Sequence, residues 1–185
     1  MKLTVPTMLT LARIVMIPVL VAVFYLPYKW TNFAAAFVFA FASVTDWLDG
    51  WIARKWHQYS AFGAFLDPVA DKLMVAAALI VLTEFGRIYA IVALIIIGRE
   101  ITISALREWM ASIGQSKSVA VNMAGKLKTV AQLIAIPFLL YDDVLFGLFH
   151  TRPVGHALIG VAAVITLLSM VVYLRAAMVA PPPRP

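Results

Sequence analysis

Residues 33–84 read FAAAFVFAFASVTDWLDGWIARKWHQYSAFGAFLDPVADKLMVAAALIVLTE. Both arms of this stretch are largely apolar, and each approaches the roughly 20 residues that a helix needs to cross a bilayer. Between them stand Asp46, Asp49, Asp67 and Asp71. An uncompensated charge in a membrane helix costs on the order of 3 kcal/mol or more, so such residues are kept for function. Their spacing suggests which function. Asp46, Asp49 and Ala53 fall at i, i+3 and i+7, and Gly63, Asp67 and Asp71 at i, i+4 and i+8, so each set shares one helical face. A short connection at Lys55–Ser60 is expected to make the two helices antiparallel neighbours whose acidic faces converge. Carboxylates gathered with no thiol nearby suit hard divalent cations, Mg²⁺ or Mn²⁺. Four of them can hold two such ions, an arrangement suited to phosphoryl chemistry.

The rest of the chain has the same character. Of 185 residues, 63% are hydrophobic and 13% charged, too few charges to cover a soluble domain of this size. Six spans are expected, at Thr7–Pro27, Phe33–Arg54, Ala61–Glu84, Arg87–Met110, Val119–Tyr141 and Val154–Met178. Turns are expected at Pro27-Tyr28-Lys29, Gly114, Asp142-Asp143 and Thr151-Arg152-Pro153. The first apolar run lacks a small-residue cleavage site and reads as a retained span rather than a signal peptide. The fold class is therefore an all-α integral membrane protein, a six-transmembrane-helix bundle. Residues 1–180 form one domain, and the proline-rich tail at 181–185 is disordered.

There are no cysteines, which excludes disulfides and cysteine-held zinc. The net charge of +6 is not drawn into a stripe, so nucleic acid is not expected as a partner. With the N-terminus in the cytoplasm, every Lys and Arg except Lys29, Arg87 and Arg152 falls in or toward the cytoplasmic half. The three histidines fit no ligand spacing. Trp30, Trp47, Trp51, Trp56 and Trp109 lie near span ends, as in an aromatic belt.

Written as one string, the acidic segment is Asp46-x2-Asp49-Gly50-x2-Ala53-Arg54-x8-Gly63-x3-Asp67-x3-Asp71. Eight fixed residues at fixed intervals are a specific signal, and this string resembles the full signature of the CDP-alcohol phosphotransferase family. The segments Val5–Arg13, Asp67–Lys72, Arg99–Trp109 and Gly125–Thr129 resemble the bacterial members that form phosphatidylglycerophosphate. The resemblance implies six helices, a lipid-open cavity facing the cytoplasm, a bacterial inner-membrane location and a homodimer. It also implies transfer from CDP-diacylglycerol to sn-glycerol 3-phosphate, with CMP released and a divalent metal required. By the same resemblance Asp46, Asp49, Asp67 and Asp71 are metal ligands and Asp71 is the general base. Gly50, Ala53, Arg54 and Gly63 border the CDP donor, and Thr10 lies near its pyrophosphate.

An acceptor that carries a phosphate needs cations. Glu100, Ser104 and Arg107 make a polar face on the fourth span, and Asn122, Lys126 and Thr129 make one on the fifth. Arg99 and Lys128 lie beside these faces. Arg99, Ser104, Arg107, Lys126 and Lys128 are the candidate glycerol-phosphate-binding residues. The alternatives are the same family with phosphatidylglycerol, an inositol phosphate or serine as acceptor, a cation transporter, and a structural membrane adaptor. A transporter has no need of the glycines at these intervals, often shows an inverted repeat, and none is visible here. An adaptor leaves the four acids unexplained.

Overall fold

The computed structural model describes residues 4–56, 60–112 and 123–179. Helix α1 spans Val5–Phe24, α2 Thr31–Trp56, α3 Ala61–Glu84, α4 Ala90–Ser112, α5 Met123–Tyr141 and α6 Thr151–Val179. Helix α3 has the bounds expected of the third apolar segment, and the other helix boundaries differ from expectation by a few residues. Asn122 and Gly114 lie outside the described residues. Thr151-Arg152-Pro153, expected as a turn, opens α6 instead, because proline is tolerated in a first turn whose N–H groups have no helical partner.

Local chemistry sets the ends. Thr4 caps α1 by accepting from the Thr7 amide, and Ser60 caps α3 by accepting from the Gly63 amide at 2.9 Å. After α3 the backbone turns at Gly86, whose φ of +66° suits glycine, and the Arg87 amide returns to the Leu82 carbonyl at 2.8 Å. A two-stranded antiparallel hairpin, β1 (Val144–Leu145) with β2 (Phe149–His150), joins α5 to α6. Sequence gave no expectation of it.

The packing order is a closed ring: α1 touches α2, α2 touches α5, α5 touches α6, α6 touches α4, α4 touches α3, and α3 returns to α1. This corrects the expectation that α2 and α3 are direct neighbours. They meet only slightly, because α1 packs closely against both. Gly63 is why α1 can approach α3, since a Cβ there would lie 2.8 Å from Thr7 Oγ1 and 2.9 Å from Ser60 Oγ. Those two hydroxyls are themselves hydrogen-bonded at 2.8 Å. Between α5 and α6 Gly155 plays the same part, facing Leu139. The core of the ring is apolar, built from Leu20, Phe39, Leu79, Leu82, Ile96, Ile136 and Leu139 among others.

The outer surface is apolar too. Val15, Phe33, Phe37, Ile80, Ile91, Leu94 and Leu168 are all exposed, and Phe33, Phe37 and Phe41 form a stacked row along α2. Large apolar side chains in such number outside as well as inside belong in hydrocarbon, so this is a membrane protein. By length and composition, Val5–Phe24 and Thr151–Arg175 can cross a bilayer. Helices α2 to α5 carry the charged residues of the site described below, which lowers their hydropathy.

At the end of the ring far from the acids, Arg87 joins three elements. Its guanidinium donates to the Leu139 and Leu140 carbonyls and to Asn32 Oδ1 at 2.6–2.9 Å, and it pairs with Asp142 at 3.5 Å. Burial pulls this group below its ordinary pKa range, and Asp142 opposes that pull. Asp142 also faces Arg152 at 3.6 Å and is partly buried within the turn expected at Asp142-Asp143. Asp143 is exposed and accepts from the Val144 amide.

Candidate active site

Because consecutive helices run up and down, the N-terminal half of α1, the C-terminal half of α2 and the N-terminal half of α3 share one end of the ring. The acids gather there around α1. Arg13 is 2% exposed, and its guanidinium binds the Asp46 carboxylate at 2.7 Å and the Asp71 carboxylate as well. Thr10, fully buried one turn earlier, sets its hydroxyl between the Pro6 carbonyl at 3.1 Å and the Asp67 carboxylate, to which it donates. Pro68 follows Asp67 inside α3.

Arg13 thus supplies the positive charge that the acids require. Sequence reasoning gave it no role; the signal was a lone arginine in an otherwise apolar first span. Asp46 and Asp71 keep 42% and 45% of their side-chain surface open. Half-open carboxylates brought together in this way fit a hard divalent cation. Among the described residues no three His, Cys, Asp or Glu side chains close on one point. The side chains of Asp49, Ala53, Arg54 and Lys126, and the surroundings of Gly50, lie outside what the structure describes, though each backbone is helical.

Two cavities open beside the acids. The first, about 130 Å³, is lined by Arg13, Ser43, Asp46 and Asp71 with Phe39, Met74 and Leu133 behind them. The second, about 270 Å³, is lined by Lys72, Arg99, Glu100, Ser104, Arg107, Thr129 and Gln132, and again by Asp71. Asp71, Val75 and Thr129 belong to both walls. A carboxylate is therefore placed between an acidic chamber and a cationic one.

The cationic chamber brings together most of the expected acceptor residues. Lys128 is 2% exposed and pairs with Glu100, so it does not snorkel toward headgroups. Arg99 is buried, lies 3.5 Å from Glu100, and donates to Ser169 Oγ at 3.4 Å. The Ser104 hydroxyl donates to the Glu100 carbonyl at 2.7 Å. Arg107 is exposed, and its guanidinium stands 5.9 Å from the centre of the Tyr173 ring, with Arg99 5.7 Å from the same ring. Ser169 and Tyr173 come from α6, which in sequence shows little but hydrophobicity. Glu100 was legible only as a helix-face neighbour; its task is to hold Lys128 and Arg99 in a desolvated place.

Other expectations resolve simply. Trp30, Trp51 and Trp109 are exposed, as belt residues are, and Lys55 lies over the Trp51 ring at 4.5 Å. His156 donates from Nε2 to the Arg87 carbonyl at 2.6 Å, far from the acids, while His57 lies outside the described residues.

Comparison with known proteins follows the same line. Residues 3–179 match the family model described as CDP-alcohol phosphatidyltransferase. The chain is 51% identical over 179 residues to the CDP-diacylglycerol–glycerol-3-phosphate 3-phosphatidyltransferase of Shigella flexneri serotype 5b (strain 8401), with 96% of each chain covered. It has the same identity and coverage with the enzyme of that name from Escherichia coli (strain K12).

Proposed function

Since the chain belongs to the CDP-alcohol phosphatidyltransferase family, we propose that it transfers the phosphatidyl group of CDP-diacylglycerol to sn-glycerol 3-phosphate, giving phosphatidylglycerophosphate and CMP. The observation that carries this reading is the position of Asp71, in the wall of the acidic cavity and of the cationic one at once. A donor pyrophosphate beside Asp46 and an acceptor phosphate beside Arg99 and Arg107 would meet at this carboxylate.

The step balances as a direct displacement. The acceptor's primary hydroxyl oxygen attacks the phosphorus that bears diacylglycerol, the pyrophosphate P–O bond breaks, and CMP leaves. Asp71 takes the hydroxyl proton, and no covalent enzyme intermediate is needed. Asp46, Asp49, Asp67 and Asp71 are the residues that would hold Mg²⁺ or Mn²⁺, whose charge neutralises the pyrophosphate when bound. Thr10 fixes the Asp67 carboxylate through its hydroxyl. Gly50, Ala53, Arg54 and Gly63 border the cytidine end, with Gly63 also serving the packing of α1. Arg99, Arg107 and Lys128, with Lys126 and Ser104, hold the acceptor phosphate.

In the cell the protein is a six-span inner-membrane enzyme with its N-terminus and active site on the cytoplasmic side, acting as a homodimer among membrane lipids. What supports the orientation is the distribution of Lys and Arg and the placement of both cavities at one end of the ring, while the homodimer follows from the family resemblance. The test is CMP release and product identification with purified protein, CDP-diacylglycerol, sn-glycerol 3-phosphate and Mg²⁺, with a chelator control. Phosphatidylglycerophosphate formed with Mg²⁺ and absent with chelator is the expected result. CMP released only with another alcohol would overturn the acceptor, and no release with any alcohol would overturn the reaction.

A further inference from the structure

We infer that Gln132 is a specificity-determining residue that reads the middle hydroxyl of the acceptor, an inference that rests on the acceptor reading just given. Gln132 lies on α5 one turn beyond Lys128, is 5% exposed, and lines the cationic cavity. Its amide Nε2 is buried and has no hydrogen-bond partner. A buried donor left unpaired is unfavourable, and a protein interior satisfies nearly all of them. In the same wall Glu100 pairs with Lys128 and Arg99, and the Ser104 hydroxyl donates to the Glu100 carbonyl.

The chemistry of the wall decides what the amide is for. Arg99, Arg107 and Lys72 can only donate, which suits a phosphate. Asp71 as a carboxylate only accepts, which suits removal of a proton from the attacking hydroxyl. A carboxamide presents a donor and an acceptor side by side, whichever way it is turned. That pair matches a neutral hydroxyl, which also gives and takes. An acceptor held with its phosphate on the arginines and its attacking hydroxyl on Asp71 has one such group left, the hydroxyl between them. A site built to pair with a hydroxyl rejects the analogue that lacks it.

The experiment compares two acceptors on one protein: sn-glycerol 3-phosphate and 3-hydroxypropyl phosphate, which differ only in the middle hydroxyl. The wild-type protein is expected to favour the first in kcat/KM by about 10–100-fold. Gln132→Met, close in shape, should reduce that ratio to within about threefold by losing rate on the hydroxylated acceptor alone. The KM for CDP-diacylglycerol should not move. Gln132→Asn, which withdraws the amide by one methylene, should give an intermediate ratio. Because the readout is a ratio within one sample, it does not depend on how much of a variant is folded. Equal losses on both acceptors, or a wild-type protein that does not tell them apart, would overturn the role of Gln132 and leave the reaction standing. A wild-type protein that forms no CMP with sn-glycerol 3-phosphate would overturn the acceptor reading, and this one with it.

Discussion

Arg13 lies between two carboxylates, and the order of contacts around it explains how so much negative charge is kept in one place. The guanidinium holds Asp46 and Asp71 from below while both stay open above, and Thr10 holds Asp67 separately. Asp46 and Asp71 share one support and Asp67 has another, and loss of either should be felt in turnover more than in folding. Thr10→Val keeps the side-chain shape and removes the donor to Asp67. One hydrogen bond to a charged group is worth about 1.5–3 kcal/mol, so CMP release should fall roughly 10–100-fold, measured with thermal unfolding in detergent as the control for folding. Asp71→Asn preserves volume but cannot take a proton. Its rate should fall by at least about 10²–10⁴-fold, the usual contribution of a general base, measured as CMP release from folded protein. The acids themselves were legible in the sequence, because carboxylates in membrane helices are costly enough to advertise themselves. Gln132 was not, since a neutral amide on an apolar helix carries no comparable signal until its burial and unpaired nitrogen are seen.

Between helices the controlling residues are small. Gly63 lets α1 approach α3, and Gly155 lets α6 approach α5, where a Cβ would lie 2.7 Å from Leu139 Cγ. In hydrocarbon, close packing of this kind is a main source of helix association, because burial of apolar surface gains little against lipid. Gly155→Val should lower the unfolding temperature in detergent by several degrees, as overpacking of about 1–3 kcal/mol would. Gly160→Ala, at a helical glycine with nothing within 4 Å of the new Cβ, should be neutral or stabilising by up to about 1 kcal/mol. A chain in which both substitutions behaved alike would not have the α5–α6 contact described. Helix positions could be read from hydropathy and turn residues alone. Whether a glycine marks a ligand or a helix contact could not, since both demand the same missing side chain. At Gly63 the structure supplies the contact.

At the scale of the molecule, the ring places both cavities at one end and the Arg87–Asp142–Arg152 cluster at the other. A chain without cysteines allows this polarity to be tested directly. A single cysteine at Tyr89, 82% exposed in the turn before α4, should react with an impermeant maleimide from outside intact cells. One at Ser112, exposed at the opposite end of α4, should react only after permeabilisation. The reverse pattern would invert the proposed orientation. The sequence by itself determined that the chain is a helical membrane protein, where most of its helices lie, and that four aspartates stand out as candidates for its chemistry. Those are consequences of the cost of placing charge and unpaired backbone in hydrocarbon, which acts on each segment locally. Only the tertiary structure decided that α1 packs closely against both acidic helices, that Arg13 joins Asp46 to Asp71, and that α6 brings Ser169 and Tyr173 against the arginines of the cationic chamber. Those depend on which helix faces meet. Helices that are apolar on nearly every side leave little periodic signal to say which face turns inward, so close contacts between particular side chains settle it.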